Sequence, residues 1–291
     1  MSDDEGLHQE SMMMTAKEDL LRGIELGKQW DATQLLGTLS EVAPQAAGAL
    51  SEALARRDID TGVRWNAAKS IGRLGPAAGN AAAFALAKAL LQRKPGEIAS
   101  DPYVRSGLAT TIGDMSAVAK GAGAMALAKA LQDDRDVTVR RRAAAALGQL
   151  GKGIAGPHGA KALATALIID KDTTVKCRCA ESLGVLSIAA GEDGANALVE
   201  ALASDSDVGV RWRCAMSLGK LGYAAMENGA CALLKALTED KSLAVKDHAG
   251  DAITDLRDSC VKMLEGLEGH LFYRGQAAWV LGRLGASAGK P

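Results

Sequence analysis

Large rings are scarce in this 291-residue chain: two Phe, three Tyr and four Trp make up 3% of it. A β-sandwich or barrel draws on aromatic and β-branched side chains, so the scarcity argues against both. Also missing is an unbroken apolar run of the roughly 18 residues that a membrane span needs. The acidic start, Met1-Ser2-Asp3-Asp4-Glu5, lacks the basic-then-apolar order of a secretion signal, which points to the cytoplasm. No sign of charge dominates, with 34 Lys and Arg against 35 Asp and Glu for a net charge of −1. Such balance lacks the electrostatic signature of a general nucleic-acid binder or a polybasic membrane protein. The five cysteines (Cys177, Cys179, Cys214, Cys231, Cys260) are an odd set confined to the C-terminal half. A secreted disulfide framework favours an even set, so these read as free thiols in a reducing compartment. What the chain does have is small apolar residues, 48% hydrophobic overall. Ala, Leu, Val and Ile can bury a sizeable interior without covalent staples, and small side chains let helices lie close together.

Those residues recur with a fixed period. The string Val-Arg-x-x-x-Ala-x-x-Leu-Gly-x-Leu-Gly occurs, give or take a position, from Val63, Val139 and Val210, and in degenerate form from Lys28, Val104, Val175, Val245 and Tyr273. The starts are separated by 35, 41, 35, 36, 35, 35 and 28 residues. Each string follows a second one, Ala-Leu-x-x-Ala-Leu, as at Ala49 to Leu54, Ala126 to Leu131 and Ala197 to Leu202. Apolar residues at i, i+1, i+4 and i+5 form one helical stripe, so every repeat is predicted to be two helices of about a dozen residues, A and B. Asp-rich turns join A to B, and Gly-rich turns such as Gly75-Pro76 join B to the next A. The long interval contains Arg93-Lys94-Pro95-Gly96-Glu97, which reads as a longer A–B loop. The short last interval reads as a truncated cap. A period of this length is the signature of a solenoid.

The residues resemble the HEAT repeats, specifically the short, Ala-rich ones also found in phycobilisome lyase subunits, over roughly residues 12 to 287. An acidic residue stands six places before a basic one in Asp58/Arg64, Asp134/Arg140, Asp170/Lys176, Asp205/Arg211, Asp240/Lys246 and Glu268/Arg274. Copy two departs, with Asp101 four places before Arg105. The resemblance implies an all-α fold, a right-handed α-α superhelix of about seven to eight helix pairs, in which these charges form a ladder between repeats. The expected organisation is an acidic tail over 1–11, the solenoid over 12–287 and a short tail over 288–291. Tetratricopeptide repeats are set aside because they place bulky aromatics where this chain has Ala and Leu. Deoxyhypusine hydroxylase, a HEAT-like iron enzyme, uses His-Glu pairs. Here His8, His158, His248 and His270 are followed by Gln, Gly, Ala and Leu.

Nothing in the sequence marks a reaction centre. It contains no phosphate-binding Gly-x-x-x-x-Gly-Lys-Ser/Thr loop, His-Glu-x-x-His pair or Gly-x-Ser-x-Gly elbow. A carboxylate that recurs in nearly every repeat is structural, because an acid–base site should be singular. No metal is expected from the cysteines. Cys179 and Cys214 take the position of Ala67 and Ala143, and Cys177 lies about 200° round the helix from Cys179. Cys177 alone, between Lys176 and Arg178, is a candidate for an exposed thiol of lowered pKa. No cofactor is expected.

Counting helix B from its Val as zero, positions 0, 4, 8 and 11 face the core. Positions 2, 3, 6 and 10 share another side, which in HEAT-like solenoids lines the concave surface. All four tryptophans fall in this set. Trp30, Trp65, Arg73, Arg141, Arg142, Arg178, Trp212, Arg213, Lys220, Trp279 and Arg283 are therefore the expected partner-binding residues, since Trp and Arg are enriched in interface hot spots. The alternative for each indole is that it covers the flank of a neighbouring helix. The expected function is a non-catalytic protein-interaction scaffold, a subunit of a larger complex whose groove takes a protein segment of acidic character. The second reading, implied by the resemblance alone, is a phycobilin lyase or lyase subunit. There Arg141, Arg142, Arg178 and Arg213 would hold the propionates of a tetrapyrrole.

Overall fold

The computed structural model describes residues 2–22, 25–92, 101–265 and a few helical positions between 278 and 285. These residues form helices α1 (Ser2–Arg22), α2 (Leu26–Leu36), α3 (Ala43–Ala55), α4 (Thr61–Leu74), α5 (Gly79–Leu90), α6 (Pro102–Asp114) and α7 (Ser116–Asp133), followed by α8 (Val137–Ile154), α9 (Gly156–Ile169), α10 (Thr173–Leu186), α11 (Gly191–Ser204), α12 (Val208–Leu221), α13 (Met226–Glu239) and α14 (Leu243–Glu265). Odd-numbered helices are the A helices and even-numbered ones the B helices. No strand occurs among the described residues. None of their helices is long and apolar enough to cross a membrane. The expected loop at Arg93–Glu97 and the terminal copy from Tyr273 lie in stretches that are outside, or largely outside, the described residues. Segment 1–11, expected as a tail, is instead helical from Ser2. It is rich in helix-forming Glu, Gln, Leu and Met, while burial begins at Met13, followed by Ala16 and Leu20.

Both sequence strings become buried stripes. On the A helices Ala49, Leu50, Ala53 and Leu54, and again Ala126, Leu127, Ala130 and Leu131, are buried. On α4, α8, α10 and α12 positions 0, 4 and 8 are fully enclosed, as in Val63, Ala67 and Ile71 or Val210, Cys214 and Leu218. The turns between A and B carry two carboxylates with separate tasks. The second one caps helix B, where Asp172 accepts from the N–H groups of Thr174 and Val175 at 2.9 and 3.1 Å and Asp207 from that of Val210 at 3.0 Å. The first ties the turn, with Asp134, Asp170 and Asp205 each accepting from the N–H two residues on. A cap of this kind contributes about 1 kcal/mol. At the other end, position 12 of helix B adopts a positive φ in Gly75, Gly151 and Gly222, and also in Ser187, at 52°.

The chain divides into two compact units, residues 1–150 and 151–291. In the first, α1, α3, α5 and α7 pack in succession as one layer and α2, α4 and α6 as another. In the second, α9, α11 and α13 form the A layer and α10, α12 and α14 the B layer. Each unit is therefore an α-α solenoid.

The glycine at position 9 is what lets neighbouring B helices approach. A Cβ on Gly37, Gly113, Gly184 or Gly219 would fall 2.7 to 3.0 Å from the nearest atom of Ser70, Ala146, Ser217 or Ala252, in each case position 7 of the following helix. Gly72 meets Thr111 in the same way. Ser217 also donates to the Ala180 carbonyl at 2.7 Å, bridging α12 to α10.

The expected charge ladder between repeats is present at three rungs. In each a basic residue reaches the acid of the next repeat, 29 residues on: Arg105 to Asp134 at 2.7 and 3.0 Å, Lys176 to Asp205 at 2.7 Å, and Arg211 to Asp240 at 2.8 and 3.0 Å. Within its own repeat the acid's backbone receives the arginine, as Arg140 and Arg211 donate to the Asp134 and Asp205 carbonyls at 3.1 and 3.0 Å. Arg105 keeps its rung although its own repeat departs from the acidic spacing.

Candidate binding face of the B helices

In the second unit the residues at positions 2, 3, 6 and 10 form three parallel columns. Helix α10 supplies Cys177, Arg178, Glu181 and Val185; α12 supplies Trp212, Arg213, Met216 and Lys220; α14 supplies Asp247, His248, Asp251 and Asp255. The rings and charges interlock across the columns. Trp212 stacks on His248 of the next helix, with centroids 4.8 Å apart and planes at 29°. The Arg213 guanidinium lies 4.1 Å from the centre of the Trp212 ring, a cation–π contact. Glu181 spans two arginines, with Arg213 Nε at 2.7 Å on one oxygen and Arg178 Nη1 at 2.7 Å on the other. Arg178, Val185, Lys220, Asp247, Asp251 and Asp255 are exposed.

In the first unit the face begins with Trp30 on α2, 42% exposed. Trp65 of α4 is half-buried: its ring lies over Gly107 of α6, occupying the space a Cβ there would need. It also meets Tyr103 edge-on at 6.1 Å and carries Lys69 Nζ at 5.9 Å from its centre. Trp65 and Trp212 thus do the same thing, covering position 3 of the following B helix. Asn66 is buried and serves packing, accepting from Gln34 at 3.0 Å and donating to Thr33 Oγ1. Arg73 is exposed and donates to Ser70 Oγ at 2.6 Å. On α8, Arg142 is exposed and Arg141 half-buried. Trp279 and Arg283 lie outside the described residues.

The thiols differ from expectation at one point. Burial pushes the Cys177 thiol up, and the Arg213 guanidinium beside it offsets only part of that shift. Cys177 is therefore not the lowered-pKa thiol that its basic neighbours imply. Cys179 and Cys214 are enclosed as expected of core residues, and burial raises both strongly.

The sequence stripe missed a second exposed apolar feature, on the A helices. Phe84 of α5 and Met125 of α7, 60% and 63% exposed, occupy the position just before the Ala-Leu string in neighbouring A helices. The equivalent positions Lys161 and Asn196 are polar, which is the signal that sets the two apart. An open cleft of about 330 Å³ between α11 and α13 has the Arg211–Asp240 rung among its lining groups.

Residues 160–254 match the family of HEAT repeats. No curated protein matches the chain. Among solved structures an engineered protein is similar over 94% of this chain and 78% of its own, with a TM-score of 0.55 and 19% identity. Importin beta matches over 88% of this chain and 39% of its own, with a TM-score of 0.58 and 14% identity. Kap121p matches over 96% and 33%, with a TM-score of 0.53 and 16% identity. The chain therefore spans between a third and two fifths of the length of these two proteins, and the likeness is one of fold.

Proposed function

We propose that this HEAT-repeat chain is a non-catalytic scaffold that holds a segment of a partner protein against its B-helix face. The observation that carries this reading is a division of labour within that face. Rings at position 2 lie against the next helix, while Arg73, Arg142, Arg178 and Lys220 at positions 3 and 10 extend into solvent beside Trp30, Trp212 and Met216. A site that recurs with each helix pair suits an extended chain better than a single reacting centre. The likeness in fold to Kap121p, which is described bound to RanGTP, is in keeping with protein binding. The partner's acidic side chains would meet the exposed arginines and Lys220.

The tetrapyrrole reading is weaker, because the resemblance alone carries it. A shifted visible spectrum on mixing the protein with a bilin would restore that reading.

Charge reversal on the face tests the scaffold. Arg142→Glu and Lys220→Glu alter exposed side chains, so each should change stability by no more than about 0.5 kcal/mol. Affinity purification with mass spectrometry should then lose the protein captured by the wild type. An unchanged set of captured proteins in both folded variants would refute the assignment.

A further inference from the structure

The second unit's B face is polarised, and its polarity has an order. Two guanidinium groups stand at one side, Arg178 of α10 and Arg213 of α12, with one carboxylate, Glu181, between them. At the other side α14 presents Asp247, Asp251 and Asp255, spaced i, i+4 and i+8 and all exposed. Among the described residues none of these three carboxylates has an ion-pair partner. Like charges at i, i+4 oppose one another along a helix, so the row costs α14 stability that no ion pair to a described residue offsets. Between the two sides lies apolar surface, the Trp212 ring and Met216, with exposed Val185 on α10.

Resting on the scaffold reading, we propose that this face takes an extended peptide segment of mixed polarity: basic residues against Asp247, Asp251 and Asp255, acidic residues against Arg178 and Arg213, and an apolar side chain over Trp212 and Met216. Adjacent packed helices are about 9 Å apart, so α10 and α14, with α12 between them, are separated by roughly 18 Å. An extended chain advances about 3.3 Å per residue, which puts about six residues between the basic and acidic ends. Glu181 acts as the resident counter-ion that the segment's carboxylate competes with.

Fluorescein-labelled nine-residue peptides and anisotropy titration of the full chain test the arrangement. The probes are Lys-Lys-Ser-Ser-Leu-Ser-Ser-Glu-Glu and two controls in which both ends are Glu or both are Lys. The mixed peptide should bind at least tenfold tighter than either control. Asp251→Lys should weaken the mixed peptide at least fivefold and tighten the all-Glu one. Glu181→Gln should tighten the mixed peptide, a gain that a merely structural Glu181 would not give. If the all-Glu peptide binds the wild type as tightly as the mixed one and Arg178→Glu abolishes that binding, the mixed-polarity proposal is overturned and the scaffold reading stands. If no peptide binds, this unit's face fails in both roles.

Discussion

Trp65 and Gly107 show how one residue can serve two accounts. From its spacing Trp65 belongs to the exposed stripe, and its ring does lie at that surface. Its contact with Gly107 makes it a packing residue as well. Truncating it therefore tests the fold before it tests binding, and Trp30 and the exposed charges are cleaner probes. Gly107→Ala would drive a methyl group into the ring and should cost about 1–3 kcal/mol. Ser187 calls for the opposite change. It holds a φ of 52° where three other copies have glycine, so Ser187→Gly should stabilise by about 1 kcal/mol by relieving the strain of a side chain at positive φ. Urea unfolding of the two variants checks both signs, and a stabilised Gly107→Ala or a destabilised Ser187→Gly would contradict the packing described. The Ser187 irregularity was legible in the repeat alignment. The Trp65 contact matches the alternative that an indole covers the flank of a neighbouring helix, and the stripe left open only which residue the next helix places under it.

At the scale of the helix pair, most of the design was readable. The Ala-Leu and Val-Arg strings located both helices, and the Asp residues located the turns. The ladder between repeats was implied by the resemblance, and the structure adds its register, since Arg105 and Arg211 meet Asp134 and Asp240, 29 places on, across the stacked repeat. Helix α14 runs 23 residues for a local reason. Its copy has Thr254 and Arg257 where others have the position 9 and position 12 glycines, so nothing ends it at the usual place.

The ladder has measurable consequences. The Arg105–Asp134 rung is nearly enclosed, with side chains 9% and 1% exposed. Asp134→Ala should therefore cost about 3 kcal/mol by stranding a buried guanidinium. The hydrogen bond from Arg211 holds the Asp240 carboxyl below its usual range. A depressed carboxyl stabilises the fold in full above the unfolded value, about pH 4, and that contribution is lost as the pH falls through the folded-state value. Unfolding measured from pH 7 to pH 3 should lose more stability in the wild type than in Asp240→Asn. Parallel curves would exclude the rung as a source of acid sensitivity.

Over the whole molecule, each unit gains its stability from contacts between neighbouring repeats, as solenoids do. The scarcity of large rings follows from that construction: thin layers packed on Ala, Leu and Gly leave little interior for aromatic volume. Among the described residues Trp30 and Tyr103 on B helices and Phe84 on an A helix are exposed rings. The first unit thus exposes rings on its A helices as well as on its B helices, and binding is assigned to the B helices of each unit. Hydroxyl-radical footprinting of the chain bound to its purified partner separates them, since both faces carry oxidisable side chains. The account predicts protection of Trp30, Trp212 and Met216 with Phe84 and Met125 oxidised as in the free chain. Protection of Phe84 and Met125 with the B-face residues unchanged would contradict it.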